Sequence, residues 1–186
     1  MKLEIALLAS KFFVGLYTLL YSGRVYFGKN VLVNHKFRFQ GQGKLVIGNK
    51  CNLWAHEEPN RFFTYSNTAE ITVGEGSQLN GVTIHCLENI SLGSKCLVGS
   101  AMIMDTDFHE FHDPFHILYH NPKSRPIVVG NNVWLCGQCV LLKGSQVGDN
   151  SVVGFRAVVT KAFPADVVVA GNPAKIVKDK SGTLRG

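Results

Sequence analysis

The sequence predicts an all-β fold, a parallel β-helix shaped like a triangular prism, and three observations predict it. An aliphatic residue occupies every sixth position from 129 to 159, namely Val129, Leu135, Leu141, Val147, Val153 and Val159. A smaller residue follows four positions after each of the first five, namely Val133, Cys139, Ser145, Ser151 and Ala157. Glycine directly follows several of the aliphatic residues, as in Val147-Gly148. Neither a helix of period 3.6 nor a hairpin meander gives a period of six, whereas short strands joined by tight corners do.

Each element of this repeat has a predicted place in the prism. Three hexads make one turn of about 18 residues, and each strand pairs in parallel with the strand one turn away. The aliphatic side chain fills the interior, the small one lets the next wall approach, and glycine suits a corner. The same spacing of six recurs upstream in shorter runs, namely Ile47 with Leu53, Val73 with Leu79, and Leu92 with Val98. The spacing slips between these runs, which predicts outward loops there.

The composition indicates one globular domain and excludes several classes of protein. A chain of 186 residues with 46% hydrophobic and 17% charged residues buries about two-thirds of its unfolded surface. The formal net charge of +6 favours anionic partners. Because arginine-rich runs, zinc-finger spacing and RNA-binding aromatic motifs are absent from the sequence, no nucleic-acid partner is expected. Five cysteines without disulfide-scaffold spacing indicate a reducing, cytoplasmic compartment.

Residues 1–24 are predicted to form an N-terminal apolar helix. The stretch 3–21 is apolar apart from Glu4, Ser10, Lys11 and Thr18. Lys11 interrupts it, so no run reaches the roughly 18 uncharged residues of a spanning helix. We expect this helix to be retained and to cover the strand edges of the first turn, because an open edge invites further pairing. Peripheral membrane contact through residues 1–21, at the inner face of the membrane, is the alternative.

The coil itself is predicted over residues 25–171, with one long insertion and a C-terminal cap. The insertion, residues 105–126, is too long for a corner and carries Asp105, Asp107, His109, Glu110, His112, Asp113, His116 and His120. Long insertions of this kind in compact domains are usually functional or disordered. Residues 172–186 form the predicted cap and tail, with 172–178 folding over the last turn.

Three motifs on the repeat carry a family resemblance. They are Met104-Asp105-Thr106-Asp107-Phe108-His109, Asn132-Val133-Trp134-Leu135 and Gly171-Asn172-Pro173-Ala174-Lys175. In this order they resemble the hexapeptide-repeat acetyltransferases, in particular the maltose, galactoside and polysaccharide O-acetyltransferases. The resemblance implies a left-handed parallel β-helix, a homotrimer, and acetyl-CoA bound as acetyl donor in a groove between neighbouring subunits.

Acetyl transfer from a thioester to a hydroxyl needs a base, and neutral imidazole suits that role near pH 7. By the resemblance His109 is this base, and Gly137 supplies the backbone N–H that meets the oxyanion of the tetrahedral intermediate. The second ring nitrogen of the base needs an acceptor, for which Asp105, Asp107 and Glu110 compete. We group Asp107 with His109 and Gly137 as the catalytic set.

The resemblance also implies binding residues for the cofactor and the acceptor. Trp134 would line the pantetheine and acetyl channel, and the other cofactor contacts would be Gly137, Phe155, Thr160, Lys161, Lys175 and Lys178. Acceptor-side candidates are Asn80, which lies near a family position, and His85, Asp105 and Arg125, which are chosen for their places in or near the insertion. A solvated surface side chain is the ordinary alternative for each lysine. No metal is expected.

A zinc enzyme resembling the γ-class carbonic anhydrases is the competing interpretation of the same coil. His112, His116 and His120 would share one face of a helix, but Pro114 and Asn121-Pro122 disfavour a regular helix there. A non-enzymatic assembly coil is a third interpretation. Because the motifs match the acyl-transfer pattern, we expect a cytoplasmic, homotrimeric, acetyl-CoA-dependent sugar O-acetyltransferase of surface polysaccharide (capsule, lipopolysaccharide or exopolysaccharide) biosynthesis. A non-sugar acceptor stays open.

Overall fold

The computed structural model describes residues 3–109, 123–179 and 182. It confirms the predicted coil, a parallel β-solenoid of about seven turns that follows an N-terminal helix, α1 (Leu3–Leu20). Three parallel sheets form the walls of the prism, and we name them walls A, B and C in the order in which the chain visits them on each turn.

The strands of each wall follow in chain order. Wall A contains β1 (Val25–Phe27), β4 (Lys44–Ile47), β7 (Glu70–Val73), β10 (Asn89–Leu92), β13 (Ile127–Val129), β16 (Gln146–Val147) and β19 (Ala162–Phe163). Wall B contains β2 (Leu32–Val33), β5 (Asn52–Leu53), β8 (Gln78–Leu79), β11 (Leu97–Val98), β14 (Trp134–Leu135), β17 (Val152–Val153), β20 (Val167–Ala170) and β21 (Lys175–Asp179). Wall C contains β3 (Phe37–Gly41), β6 (Asn60–Thr64), β9 (Thr83–Cys86), β12 (Met102–Met104), β15 (Val140–Leu141) and β18 (Val158–Val159).

The interior of the prism is filled by the aliphatic positions of the repeat. Every leading aliphatic residue from Val129 to Val159 is buried, and so are the small residues that follow them by four. In this segment the turn length is 18 residues, as the pairing of Trp134 with Val152 shows. In the first turns the register is longer, 26 residues between Leu45 and Ile71. The extra residues lie at corners, which explains why the period of six is interrupted there.

Helix α1 covers the first turn, as the sequence predicts. One face of the helix, which includes Ala6, Ser10 and Tyr17, is buried against the prism. The Ser10 hydroxyl bridges both backbone groups of Val33, donating to its carbonyl at 3.1 Å and accepting from its N–H at 3.0 Å. These bonds occupy the strand edge of wall B that would otherwise be open. In the part of the chain that the structure describes, no helix is long and apolar enough to cross a bilayer.

The last turn is covered by the predicted C-terminal cap. Strand β21 pairs antiparallel with β20 and so closes the edge of wall B. The turn before β21 closes the edge of wall C, because Val158 N–H donates to the Gly171 carbonyl at 2.9 Å and Ala174 N–H donates to the Val158 carbonyl at 2.8 Å.

Candidate active site

The long insertion leaves the prism at the corner between walls C and A, which we call the C–A corner. Strand β12 ends at Met104 and β13 begins at Ile127, so the stem of the insertion is residues 105–109 and 123–126. The two sides of the stem are joined by a bridge between Thr106 and Ser124 and by Arg125 N–H, which donates to the Asp105 carbonyl at 3.0 Å. Glu110, His112, His116 and His120 lie outside the described residues.

Asp105 anchors the stem from inside the protein. Its carboxylate is fully buried and accepts three backbone N–H groups, from Leu87 at 2.7 Å, Glu88 at 2.8 Å and Asn89 at 3.0 Å. Burial raises the pKa of this carboxyl, and the three N–H donors partly oppose that rise. The Asp105 oxygens are therefore enclosed and point to the β9–β10 turn, whereas the sequence suggested that they bind the acceptor.

Asp107 and Phe108 form a tight turn that presents His109. His109 N–H donates to the Asp107 carbonyl at 2.8 Å around Phe108, whose φ is 62°. This is a γ-turn with positive φ, a strained conformation for a residue with a side chain. The Asp107 carboxylate forms an ion pair with Lys143 from the next turn, whereas the sequence suggested that it orients the His109 ring. The His109 side chain is exposed.

An aromatic cluster of Phe63, Tyr65, His85 and Phe108 supports this turn. The His85 ring stacks on Phe63 at 4.9 Å, because the two residues are paired in register on wall C. The Tyr65 hydroxyl lies 2.7 Å from His85 Nδ1. The Phe108 ring meets the Tyr65 and His85 rings edge-on, at 5.2 and 5.4 Å. Burial lowers the pKa of His85, so its imidazole is neutral near pH 7. The structure thus places His85 directly beside the turn that carries His109.

A second group of candidate residues lies on wall B and at the corner between walls B and C, the B–C corner. Trp134 on β14 is 49% exposed and Phe155 at the corner is 60% exposed. The nearest neighbours of a Cβ added at Gly137 would be the Phe155 ring at 3.4 Å and Ser100 Oγ at 3.5 Å, and Gly137 does not have a positive φ. Neither its backbone conformation nor the packing within this chain therefore requires glycine at this position.

The remaining candidates are distributed over both groups. Thr160 and Lys161 are exposed at the C–A corner, where Lys161 Nζ lies 5.6 Å from the Phe163 ring, and not beside Trp134. Arg125 is exposed at the same corner, and a Cβ added at Gly144 would lie 3.0 Å from the Nε atom of Arg125. Lys175 and Lys178 are exposed on β21 of wall B. Asn80, at the B–C corner, accepts a hydrogen bond from His56 N–H at 3.0 Å.

The chain therefore does not bring its candidate base and its candidate oxyanion donor to one place. His109 extends from the C–A corner, whereas Gly137 lies at the B–C corner, and wall C separates the two. Within residues 3–109, 123–179 and 182, no group of three His, Cys, Asp or Glu side chains is arranged to hold a metal ion. The three histidines of the zinc interpretation lie outside these ranges.

Comparison with known proteins identifies the family. The sequence model described as bacterial transferase hexapeptide (six repeats) matches residues 126–161. Galactoside O-acetyltransferase of Escherichia coli (strain K12) is 33% identical over 131 residues, which are 69% of this chain and 61% of that protein. The putative colanic acid biosynthesis acetyltransferase WcaF of the same strain is 30% identical over 156 residues, 84% of this chain and 70% of WcaF. The chain belongs to the hexapeptide-repeat acetyltransferase family.

A solved member of this family adds a structural comparison. The structure of a galactoside acetyltransferase in complex with coenzyme A is 27% identical, has a TM-score of 0.57, and the match covers 90% of this chain and 69% of that one. The family model spans Trp134, Gly137 and Phe155 of the B–C group, whereas His109 and the lysines of β21 lie outside the matched residues. The chain spans 61% of the galactoside O-acetyltransferase of E. coli.

Sequence reasoning missed Phe63, Tyr65, Phe108 and Lys143. Phe63 and His85 are 22 residues apart, a spacing that departs from the predicted 18-residue turn, so the repeat gave no signal that they stack. Phe108 lies within the motif, between Asp107 and His109, and the motif gives no signal of the contacts that its ring makes. The signal that could have found the cluster is a pair of aromatic residues two positions apart, Phe63 in β6 and Tyr65 directly after it, which lie on the same outward side of the strand.

Proposed function

We propose that this acetyltransferase transfers the acetyl group of acetyl-CoA to a sugar hydroxyl, with His109 as the general base. The observation that supports the proposal is that the chain presents His109 on a hydrogen-bonded turn and has a glycine, Gly137, at a half-buried position where a Cβ would make ordinary contacts. An imidazole base and a backbone N–H donor are the two groups that direct acyl transfer requires.

The outer face of wall B fits an extended anionic ligand such as coenzyme A. Trp134, Val152, Val168 and Lys178 are in register on four adjacent strands. Three strand spacings of about 4.8 Å place Lys178 roughly 14 Å along the prism from Trp134. The wall is apolar between these two residues and ends in a lysine, which suits a pantetheine arm followed by phosphate groups. Lys175 on the same strand adds a second cation.

The chemistry follows from these positions. Acetyl-CoA supplies an activated thioester. His109 takes the proton of the acceptor hydroxyl while the oxygen bonds to the acetyl carbon. The Gly137 N–H donates to the oxyanion that forms on the carbonyl. The bond from carbon to sulfur then breaks, and the thiolate takes up the proton, so that an ester and a free thiol leave.

We further propose that each complete site is shared by two chains of a homotrimer. The C–A corner of one copy supplies His109, and the B–C corner of the next copy supplies Gly137 and Trp134. Such a head-to-tail arrangement closes a ring of three. It also brings Thr160 and Lys161, which lie at the C–A corner, against the cofactor wall of the neighbouring copy.

Mixing two inactive variants tests the shared site. His109→Ala removes the base, and Gly137→Gln adds a side chain at a position where the nearest neighbours of the Cβ would be the Phe155 ring and Ser100 Oγ rather than backbone. If sites are shared, co-expression of the two variants in equal amounts restores about a quarter of wild-type activity, because a site has one chance in four of drawing both intact groups. Activity is measured as thiol release from acetyl-CoA with a panel of sugar acceptors.

A matched mixture distinguishes the alternatives. Wild-type chains are co-expressed with the double variant His109→Ala/Gly137→Gln. Shared sites give about a quarter of the activity in this mixture as well, whereas a site within one chain gives about half here and none from the two single variants. That second pattern would overturn the shared site and leave acetyl transfer intact.

The acceptor is proposed to be a glycan of surface polysaccharide biosynthesis. The support is the name of one relative, WcaF, which is a putative colanic acid biosynthesis acetyltransferase. All five cysteines are free thiols, which fits the reducing compartment where acetyl-CoA is available. If none of the sugars supports thiol release from acetyl-CoA, the acceptor is not one of these sugars, and a non-sugar acceptor is then favoured.

A further inference from the structure

The positive charge of the chain is concentrated at one end of the prism. Residues 1–50 contain eight Lys and Arg and one acidic residue, Glu4, which gives them a net charge of +7. Residues 51–186 contain eleven Lys and Arg against twelve acidic residues, a net charge of −1. The whole formal charge of +6 therefore originates in α1 and the first two turns, far along the prism from the lysines proposed to bind the cofactor.

Helix α1 carries an exposed apolar stripe at this same end. Ile5, Leu8, Phe12 and Leu19 are 56%, 67%, 66% and 77% exposed. Their spacing of three, four and seven residues places them within an arc of about 60° on a helix of 3.6 residues per turn. The opposite face, with Ala6, Ser10 and Tyr17, is the one that packs on the prism. The stripe therefore points away from the protein along about four turns of the helix.

Basic side chains lie near the stripe. Exposed Lys11 borders a groove of ≈ 290 Å³ between α1 and the first corner, which is lined by Gly28, Asn30 and Val31, and Lys29 is exposed at that corner. Arg38 is also exposed at this end of the prism, close enough to Tyr17 on the packing face of α1 to lower its pKa against the larger raising effect of burial. An outward apolar helix face with cations near it is the pattern of helices that lie in the interface of an anionic membrane.

We propose that the N-terminal end of the prism, through the apolar stripe of α1 and the basic residues near it, docks on an anionic lipid bilayer. The stripe enters the boundary between headgroups and acyl chains, and the net charge of +7 adds long-range attraction to the negative surface. A second copy of this chain is the less favourable occupant, because two ends of the same strong positive charge repel each other. The proposal is independent of acetyl transfer and does not rest on the proposed function.

Vesicle sedimentation of the full-length protein tests the docking. Phosphatidylcholine vesicles containing phosphatidylglycerol are expected to bind the protein, and pure phosphatidylcholine vesicles to bind it at least about tenfold more weakly. Raising NaCl from about 0.1 M to about 0.5 M should release most of the bound protein, because it shortens the range of the electrostatic attraction. The variant Leu8→Glu/Phe12→Glu should lower binding to the anionic vesicles by about tenfold or more.

A matched control separates the stripe from the charge change. Gln146→Glu/Ala165→Glu adds the same two negative charges at exposed positions near the other end of the prism and should bind nearly as well as wild type. Lys11→Gln/Lys29→Gln leaves the stripe intact and should weaken binding only to the anionic vesicles. Wild-type binding by Leu8→Glu/Phe12→Glu would overturn the proposal. A smaller particle mass of that variant without vesicles would also overturn it, since the stripe would then be an interface between copies.

Discussion

At the C–A corner the chain packs or pairs the residues around its candidate base, whereas at the B–C corner it leaves the candidate cofactor contacts Trp134 and Phe155 exposed. Asp105 is enclosed by three backbone N–H groups, Asp107 is paired with Lys143, and the Phe108 ring packs on Tyr65 and His85. In contrast, Trp134 and Phe155 are about half exposed or more, and Gly137 is half-buried with room for a Cβ in ordinary contact.

The difference fits different roles for the two corners, positioning of the base at the C–A corner and cofactor binding at the B–C corner. A base must be held in one geometry before the acceptor arrives, because positioning contributes to the rate only if it is prepared in advance. A surface that binds a cofactor must instead stay uncovered until the cofactor and a neighbouring chain cover it. Substitutions at the two corners should therefore have different effects on turnover, on acetyl-CoA affinity and on stability.

The largest effect is expected at His109. His109→Ala should lower kcat by about 10² to 10⁴, because loss of a general base removes that share of the rate. Affinity for coenzyme A, measured by titration calorimetry, should change little, since the ring extends from the C–A corner. His35→Ala, at another exposed histidine, is the control. If His109→Ala kept most of its turnover, the role of this residue as base would be wrong.

The second-largest effect on activity is expected at Gly137, and Gly74 serves as the matched comparison. At Gly137 an alanine Cβ would make ordinary contacts, whereas at Gly74 it would lie 2.5 Å from Ser94 N. Gly137→Ala should keep the wild-type melting temperature and lower kcat/KM by about tenfold to a hundredfold, because the thioester must approach this backbone N–H closely. Gly74→Ala should cost about 1–3 kcal/mol of stability. A Gly137→Ala variant that was fully active would show that close approach is unnecessary there.

The fold could be predicted where the turns are uniform. From Val129 to Val159 each hexad supplies one aliphatic residue to the next wall, so that each wall receives one per turn, and the pairing of Val140 with Val158 keeps the 18-residue turn. The first turns could be recognised only in fragments. Corners there contain additional residues, such as those between β5 and β6, and a corner of variable length leaves no periodic trace in the sequence.

The site could be predicted only as far as motifs extend. The length and composition of the 105–126 insertion indicated a functional segment, and the motif indicated His109. The burial of Asp105 could not be predicted, because an aspartate that caps backbone N–H groups and one that is solvated in a loop look the same in a sequence. The aromatic cluster depends on the 22-residue register of β6 and β9, which only the folded chain defines.

A smaller effect is expected at the support of the C–A corner. Phe108→Ala removes the ring that meets Tyr65 and His85 edge-on, so the turn before His109 loses its support. We expect kcat to fall about tenfold with KM for acetyl-CoA unchanged, because misplacement of a catalytic group affects the rate more than cofactor binding. Phe108→Tyr keeps the ring and should restore kcat. An equal loss in both variants would mean that the ring does not act by packing.

The smallest effect is a pH dependence of stability at the same cluster. Burial lowers the pKa of His85, so as pH falls below about 6.5 the unfolded chain takes up this proton before the folded chain does. The stability that depends on neutral His85 is therefore complete above that pH and declines below it. His85→Gln removes the titration and leaves the other histidines in place. The difference in melting temperature between wild type and His85→Gln should narrow as the pH is lowered from about 7.5 to about 5.5. If the difference in melting temperature stayed constant over this pH range, His85 would titrate alike in the folded and unfolded states. The cluster would then not be the pH-sensitive part of the C–A corner.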